Sequence, residues 1–587
     1  MARPIVDVVL VGFGWVGAIM GEALTAAGLN VLALERGGWR TAPNDFATGF
    51  DQDELRYFWR HHLFQNVAHT TLTFRNKADQ RALPMRRLGS FLPGSGVGGG
   101  GVHWNGQVWR FLPSDFLARS HNLERYGAAA VKAADMTIQD YPVTYGELEP
   151  YFDRFEYLCG VSGKAGNLNG TIQPGGNPFE GPRSRDYPNP PLDMTYGPTL
   201  FAKAAAGMGL HPFPHPAANM SRAYTNPLGV QLATCTYCGF CEKFGCGNDS
   251  KSSPQTTILP VLMARPNFEL RTYCEVVKVE LTRDRRHATG VSYVDANGAL
   301  EFQPASIVIL CAFMPENVRL MLLSGIGPPY DPRTGTGTVG KNYAYQIVSS
   351  VNVFYDDRII NPFIGAGALG MIVDDYNADN FDHRGKGFIG GGFIGVVNTG
   401  ARPIETHPVP DKTPTWGAKF KQAVASSYLK TVGIATHGAV MSHRGNYVDL
   451  DPTWRDALGR PLLRMTFDFS ENEHKMSDFL TDKAAEIGRA MGGREIKVSK
   501  RSGSYDISPY QTTHTTGGAI MGFDPKSSAI NRYLQSWDVP NVFVPGANAF
   551  PQNAGYNPMG TVAALTYLSC DAIANRYVKS PGPLVQA

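Results

Sequence analysis

The sequence predicts a mixed α/β fold, and two patterns carry this prediction. Near the N-terminus, an apolar run at residues 6–11 is followed by a glycine-rich turn, a helical pattern to residue 28 and a second apolar run at 30–35. That order is typical of a parallel β-α-β unit. Residues 267–310 instead alternate apolar and polar side chains around the turn sequence Asp-Ala-Asn-Gly, which indicates antiparallel strands.

The turn of the N-terminal unit fits the pattern G-x-G-x-x-G. Gly12 permits a tight turn, Gly14 lets backbone N–H groups approach a pyrophosphate, and Gly17 lets the helix pack closely on the strand. Glu35 ends the second strand, where an acid can accept hydrogen bonds from ribose hydroxyls. We therefore predict a Rossmann-type domain that binds a dinucleotide. FAD is favoured over NAD, because the chain shows no second unit of this kind.

Composition argues against several classes of partner. The net charge is +3 and no basic run is present, so we expect no nucleic-acid partner. No uninterrupted apolar stretch reaches the ~18 residues that are needed to span a bilayer. The apolar N-terminal run lacks a cleavage site, so we expect a soluble chain without an export signal of its own.

A second glycine-rich stretch covers residues 92–111 and ends in a run of polar and aromatic side chains. So many glycines indicate that the backbone passes close to another group or repeatedly takes positive φ angles. The alternative is a flexible linker. We predict contacts to the cofactor from Gly98, Gly99, His103, Trp104 and Asn105.

The order of these motifs resembles that of the glucose–methanol–choline (GMC) oxidoreductases, which are FAD enzymes that act on alcohols. Matching stretches also occur at residues 316–327, 339–346, 510–522 and 544–567, whereas Cys311-Ala312-Phe313 replaces the family's usual Ala-Gly-Ala. The resemblance implies the GMC fold. Its Rossmann-type FAD-binding domain would comprise residues 1–115, 255–345 and 505–587. A substrate-binding domain with an antiparallel or mixed sheet would comprise 116–254 and 346–504.

The resemblance also implies the catalytic residues. His514 lies in a Thr- and Gly-rich loop, where a structural role is the usual interpretation of a single histidine. In the family pattern it matches the base that accepts the alcohol proton while a hydride passes to the flavin. Asn557 matches the second catalytic position, and Ala547 lies in the turn that contacts the flavin. His103 matches a histidine that pyranose oxidases bond to the flavin; packing under Trp104 without a bond is the alternative.

Half of the eight cysteines fall within twelve positions, with the spacing C-x2-C-x2-C-x4-C. They are Cys235, Cys238, Cys241 and Cys246. Bacterial ferredoxins use the similar run C-x2-C-x2-C-x3-C, and a compact loop with glycines can wrap an iron–sulfur cluster. Zinc and disulfides remain alternatives. The resemblance implies a 3Fe-4S cluster, which needs only three of the four thiols.

A cluster beside FAD resembles the flavoprotein subunits of bacterial membrane-bound dehydrogenases of the gluconate 2-dehydrogenase type. This implies oxidation of gluconate to 2-ketogluconate, with electrons passed to a cytochrome c subunit and quinone. A small subunit would carry the export signal, and partner subunits would hold the chain at the periplasmic face of the inner membrane. Alternatives are a 2-ketogluconate or sorbitol dehydrogenase, or an oxidase that uses O2.

Four further side chains carry expectations. Arg110 and Arg464 are examples of basic residues that could bind a substrate carboxylate. Asp374 and Asp375 lie in an apolar stretch that we assign to the substrate-facing sheet, and the expected role of this pair is to cap a turn.

Overall fold

The structure is a computed structural model that describes residues 3–42, 44–46, 53–55, 63–87, 89–132 and 135–585. Its strands, in chain order, are β1 (Val6–Val11), β2 (Val31–Leu34), β3 (Leu72–Arg75), β4 (Leu83–Pro84), β5 (Asn167–Leu168), β6 (Thr171–Ile172), β7 (Phe213–Pro214), β8 (Tyr224–Thr225), β9 (Gln231–Leu232), β10 (Phe268–Arg271), β11 (Glu275–Leu281), β12 (Ala288–Val294), β13 (Leu300–Leu310), β14 (Ile347–Phe354), β15 (Gly370–Val373), β16 (Gly392–Val397), β17 (Thr431–Gly438), β18 (Tyr447–Arg455), β19 (Pro461–Thr466), β20 (Glu495–Ser499) and β21 (Val542–Phe543).

The helices, again in chain order, are α1 (Trp15–Ala26), α2 (Pro113–Phe116), α3 (Ala118–Tyr126), α4 (Ala128–Lys132), α5 (Tyr145–Cys159), α6 (Tyr196–Gly207), α7 (Pro254–Thr257), α8 (Leu259–Leu262), α9 (Met314–Ser324), α10 (Gly417–Ser427), α11 (Glu471–Ala490) and α12 (Met559–Ala572).

The N-terminal β-α-β unit forms as predicted, at the centre of a seven-stranded sheet. The strand order is β10-β2-β1-β13-β12-β11, with β21 beside β13. β1 pairs in parallel with both β2 and β13, and its four C-terminal residues are buried. The second half of β13 continues this parallel sheet, whereas its first half pairs with β12 in an antiparallel ladder. One long strand therefore joins the parallel and antiparallel regions that the sequence predicts, and the mixed α/β class is confirmed.

A six-stranded antiparallel sheet, in the order β20-β14-β17-β16-β15-β7, forms the other large layer. Helix α11 packs against β14 and β17. The helix starts at a capping box, in which the hydroxyl of Ser470 accepts a hydrogen bond from the first turn while Glu473 bonds back to the backbone N–H of Ser470. Its apolar side chains and those of β14 and β17 form a second core, separate from the core under the parallel sheet.

The sheets follow the predicted division of the chain in part. The seven-stranded sheet takes its strands from the three segments assigned to the cofactor domain, and the six-stranded sheet takes its strands from the two substrate segments. A smaller sheet, β18-β19-β3-β4, joins strands from both groups. The domain boundaries themselves stay a prediction. Within the described ranges, no helix is long and apolar enough to cross a membrane.

Candidate active site

A cavity of about 510 Å³ lies between the parallel sheet, the glycine-rich turns and the six-stranded sheet. Most of the residues that the sequence predicts for cofactor binding and catalysis line it: Gly12, Gly14, Glu35, Gly99, His103, Trp104, Asn105, His514, Ala547 and Asn557. Gly17 and Gly98 lie behind this lining. The fold therefore brings residues from both ends of the chain to one cavity.

The first glycine turn has the shape that the fingerprint predicts. Gly12 has a φ of +92°, which favours glycine. A Cβ atom on Gly17 would lie 2.5 Å from the carbonyl oxygen of Gly12, so helix α1 can approach the turn only with glycine here. A Cβ atom on Gly14 would meet nothing closer than 3.9 Å, and this side of the turn is open to the cavity. The open face at the start of α1 fits a dinucleotide pyrophosphate.

The second glycine stretch is packed against the first and is not a linker. The backbone N–H of Gly98 donates a 2.7 Å hydrogen bond to the carbonyl oxygen of Phe13. A Cβ atom on Gly101 would lie 2.6 Å from the indole nitrogen of Trp15. Gly98 has a φ of +92° and lies against the side chain of Gln255, so it shapes the turn from behind the cavity.

Glu35 is buried at the end of β2 and lines the cavity. Its carboxylate accepts hydrogen bonds from the backbone N–H groups of Phe13 (2.9 Å) and Gly37 (2.8 Å). Burial raises the pKa of Glu35, against the opposing effect of these two bonds. Each carboxylate oxygen has a second lone pair, so the side chain can still accept bonds from ribose hydroxyls.

His514 is held in one orientation by the amide of Gln346. The amide nitrogen of Gln346 donates to the carbonyl oxygens of Ala554 (2.8 Å) and Tyr556 (2.7 Å), which leaves its oxygen to face the histidine. That oxygen lies 2.6 Å from Nδ1 of His514. Because an amide oxygen only accepts, the network assigns the proton to Nδ1 and a lone pair to Nε2.

Asn557 lies against the unprotonated nitrogen. Its Nδ2 is 3.1 Å from Nε2 of His514, and its Oδ1 is buried without a hydrogen-bond partner among the described residues. Burial lowers the pKa of His514 to about 3, and the neighbouring His437 contributes in the same direction. The imidazole is therefore neutral over the physiological range, so it can accept a proton at Nε2.

His103 presents a buried nitrogen to the same cavity. Its Nε2 has no hydrogen-bond partner among the described residues, and its ring packs edge-on against Phe64 with centroids 4.7 Å apart. Burial lowers the pKa of His103 to about 3, with a smaller contribution from the charge of Lys251. The indole N–H of Trp104 donates to the carbonyl oxygen of Ser252 at 2.7 Å. A buried imidazole nitrogen without a partner fits a bond to the flavin.

The four clustered cysteines are free thiols in one loop. Cys235 and Cys241 are buried, and burial raises their pKa values to about 11 and about 12. Cys238 and Cys246 contribute to raising both pKa values, and Cys235 contributes to raising that of Cys241. In the described part of the chain, no group of three or more His, Cys, Asp or Glu side chains is arranged to hold a metal ion. The four thiols still lie in one short loop, between residues 235 and 246.

The cysteine loop contacts the flavin-facing turn directly. The side chain of Lys251 is fully buried, and its Nζ donates to three backbone carbonyls, among them those of Trp104 (2.7 Å) and Cys241 (2.8 Å). The backbone N–H of Lys243 donates to the carbonyl oxygen of His103 at 2.8 Å. Hydrogen bonds therefore join the cysteine loop directly to the wall of the cavity.

Sequence reasoning missed several residues of the cavity. Gln346 ends a stretch that resembles a family motif, but nothing in its spacing indicated that it orients His514. His437 is an inward-facing position of β17, and strand alternation alone does not distinguish it from a core residue. Glu242, Lys243 and Tyr510 also line the cavity, and the first two lie between cysteines of the clustered loop.

The suggested carboxylate-binding arginines do not line the cavity. Arg110 is buried in an ion pair with Glu156 at 2.8 Å, and Arg464 pairs with Asp449 at 2.6 Å. Both guanidinium groups are thus paired with carboxylates of the chain itself. Lys243 is a cation that lines both this cavity and an adjoining one of about 360 Å³.

Asp374 is a second correction. Its side chain does not cap a turn; it accepts hydrogen bonds from Asn177 (3.0 Å) and from the hydroxyl of Tyr556. The ring of Tyr556 stacks on Trp109 with centroids 4.4 Å apart. Asp374 therefore fixes the residue that precedes Asn557. The capping interpretation fails because this position is fully buried, where a carboxylate requires donors from other segments.

The comparisons with known proteins agree on one family. Family models described as GMC oxidoreductase match residues 217–348 and 442–566. The chain is 50% identical over 588 aligned residues to the gluconate 2-dehydrogenase flavoprotein of Pantoea cypripedii, covering 99% of this chain and 95% of that one. It is 25% identical to the fructose dehydrogenase large subunit of Gluconobacter japonicus, covering 97% and 98% of the two chains.

Among solved structures, pyridoxine 4-oxidase from Mesorbium loti has a similar fold. The TM-score is 0.58 at 15% sequence identity, covering 98% of this chain and 100% of that one. On the family models and the full-length similarity at 50% identity, the chain belongs to the GMC oxidoreductase family, whose members bind FAD and act on CH–OH donors.

Proposed function

We propose that this protein is the flavoprotein subunit of a sugar-acid dehydrogenase that oxidises the C2 hydroxyl of gluconate to give 2-ketogluconate. The observation that carries the proposal is the pairing of neutral His514 with Asn557 at the cavity that the glycine turns line. We infer gluconate as the substrate from the similarity to a gluconate 2-dehydrogenase flavoprotein.

FAD bound in this cavity supplies the acceptor for the hydride that leaves the alcohol carbon. Nε2 of His514, on a ring that lines the cavity, takes the hydroxyl proton, because Nδ1 already carries a proton. Nδ2 of Asn557 donates a hydrogen bond to the same substrate oxygen and holds it in place. The N-terminus of α12, at Met559, lines the cavity and favours negative charge there.

We further propose that FAD is attached to the protein through His103. Its buried nitrogen without a partner supports this assignment. The test is acid precipitation of the purified protein: the yellow colour stays with the pellet if the bond exists. Flavin that is released completely into the supernatant would leave His103 as a packing contact.

The same proposal extends to the cysteine loop and the partners. Cys235, Cys238, Cys241 and Cys246 would hold an iron–sulfur cluster of the 3Fe-4S type, which supplies one-electron transfer. The donor chemistry and the mutual proximity of the thiols support it. A cytochrome c subunit would receive the electrons, and a small signal-bearing subunit would take the complex to the periplasmic face of the inner membrane.

A substrate and acceptor panel tests the activity. We expect gluconate to reduce an artificial electron acceptor faster than 2-ketogluconate or sorbitol does, and to form little hydrogen peroxide in air. If 2-ketogluconate or sorbitol is turned over faster, the proposed reaction class stands, but gluconate is not the preferred substrate. Hydrogen peroxide formed in proportion to gluconate consumed would instead favour an O2-using oxidase.

A further inference from the structure

His437 lies on the wall of the cavity opposite the glycine turns. It belongs to β17, and it shares one face of the six-stranded sheet with Ala435, Phe393 and Val397, which also line the cavity. Its ring is nearly parallel to that of Phe393, with an interplanar angle of 10° and centroids 4.7 Å apart. The centroid of the His514 ring is 6.4 Å away. A rigid sheet thus holds a second imidazole beside the catalytic one.

The two nitrogens of His437 have different surroundings. Nδ1 is buried and has no hydrogen-bond partner among the described residues. Nε2 is not buried in this way and makes no hydrogen bond to any residue that the structure describes, so it is the nitrogen that is left accessible from the cavity. A buried N–H without an acceptor is costly. The tautomer with the proton on Nε2 is therefore favoured, and the ring offers an N–H donor to the cavity.

Burial keeps the imidazole of His437 neutral. Burial lowers the pKa of His437 to about 4, although the nearby carboxylate of Glu242 acts in the opposite direction. Glu242 itself accepts a 2.9 Å hydrogen bond from the hydroxyl of Tyr510. Lys243 forms an ion pair with Glu405 at the same end of the cavity. A charged substrate carboxylate is better matched by that ammonium group, whereas a neutral imidazole suits a hydroxyl.

We propose that His437 is a substrate-positioning residue, whose Nε2–H donates a hydrogen bond to the hydroxyl on the carbon next to the one that is oxidised. For gluconate this is the C3 hydroxyl. The inference rests on the proposed function, because a polyhydroxylated substrate is what places a second oxygen beside the reacting one. It gives the cavity two separate contacts to the substrate, at His514 and at His437, which together fix the carbon that faces the flavin.

The test compares two variants on two substrates. His437→Phe keeps a flat ring against Phe393 but removes the donor, and His437→Gln keeps a donor. With gluconate, we expect His437→Phe to lower kcat/KM about tenfold and His437→Gln to recover most of this loss. With 3-deoxygluconate, wild type and His437→Phe should agree within threefold, because the partner hydroxyl is missing.

The outcomes separate the inference from the proposed function. Wild-type protein that does not oxidise gluconate contradicts the proposed function. Wild-type protein that oxidises gluconate, together with an equal loss on both substrates in His437→Phe, overturns only the positioning role. Flavin content and the visible spectrum of each variant report folding. If His437→Phe loses flavin, His437→Ala takes its place: loss of the preference for gluconate over the 3-deoxy compound supports the positioning role, and an unchanged preference overturns it.

Discussion

At the scale of single residues, the protonation state of His514 is set by backbone carbonyls. Two carbonyls of residues 554 and 556 orient the amide of Gln346, the amide oxygen fixes the proton on Nδ1, and Nε2 is left to accept. Asn557 follows these carbonyls in the chain. His514 and Asn557, the proposed base and its partner, therefore depend on the same turn, and a shift of that turn would affect both.

Removal of the base tests its role. His514→Ala should slow anaerobic reduction of the flavin by gluconate by roughly 10²- to 10⁴-fold, the range expected for general-base catalysis. Flavin content should be unchanged, because the contacts of the glycine turns remain. Stopped-flow absorbance of the flavin band measures the rate. A loss of less than threefold would assign proton removal to another group.

The pH profile tests the tautomer. The pKa of His514 is lowered to about 3, so kcat/KM should be flat from pH 5 to 8 in the wild type and should fall only below that range, as the base becomes protonated. Gln346→Glu places a carboxylate at Nδ1, which favours the imidazolium form and raises the pKa of His514. The acid limb of the profile should then move to higher pH. An acid limb near pH 6.5 in the wild type would contradict this account.

At the scale of elements, the glycine turns show why the cofactor site could be predicted. Their requirement is local: positive φ at Gly12 and close contact at Gly17 follow from the turn and the helix themselves. The walls contributed by β16, β17 and the cysteine loop could not be predicted, because they come from segments far away in the chain. His437 and Gln346 meet His514 only after the six-stranded sheet has packed over the turns, so nothing in their spacing marks them.

The first turn offers a matched pair of variants. Gly17→Ala places a Cβ atom 2.5 Å from a backbone oxygen, and we expect a loss of about 1–3 kcal/mol in the free energy of unfolding together with reduced flavin content. Gly146→Ala, in the first turn of α5, meets nothing within 4 Å and should leave both unchanged or slightly improved. Thermal melting and the flavin-to-protein ratio are the measurements. Equal behaviour of the two variants would contradict the close approach of α1.

At the scale of the whole molecule, three segments meet at the cavity. The N-terminal unit and the C-terminal turn supply residues that we predict for cofactor binding and catalysis, and the cysteine loop reaches the wall through Lys243 and Lys251. A group bound by the cysteines would therefore lie in a loop that is hydrogen-bonded to the second glycine-rich stretch. This arrangement suits a subunit that passes electrons onward.

Iron analysis tests that role. The protein as purified should contain about three iron atoms for each flavin, with a low-temperature electron spin resonance signal. Cys241→Ser should lose both, since Cys241 is buried and Lys251 links its backbone carbonyl to that of Trp104. Cys274→Ser, outside the loop, is the matched control and should keep them. Zinc, or no metal, in the wild type would contradict the cluster.

The central claim is that this chain oxidises gluconate through FAD with the residues of the cavity. The most direct measurement is anaerobic addition of gluconate to the purified protein, following the flavin absorbance and identifying the product. The account predicts that the flavin band bleaches and that 2-ketogluconate forms in an amount at least equal to the flavin, with any excess matching the electrons that the cluster takes. A flavin band that stays unchanged at saturating gluconate, in protein that is fully loaded with FAD, would contradict it.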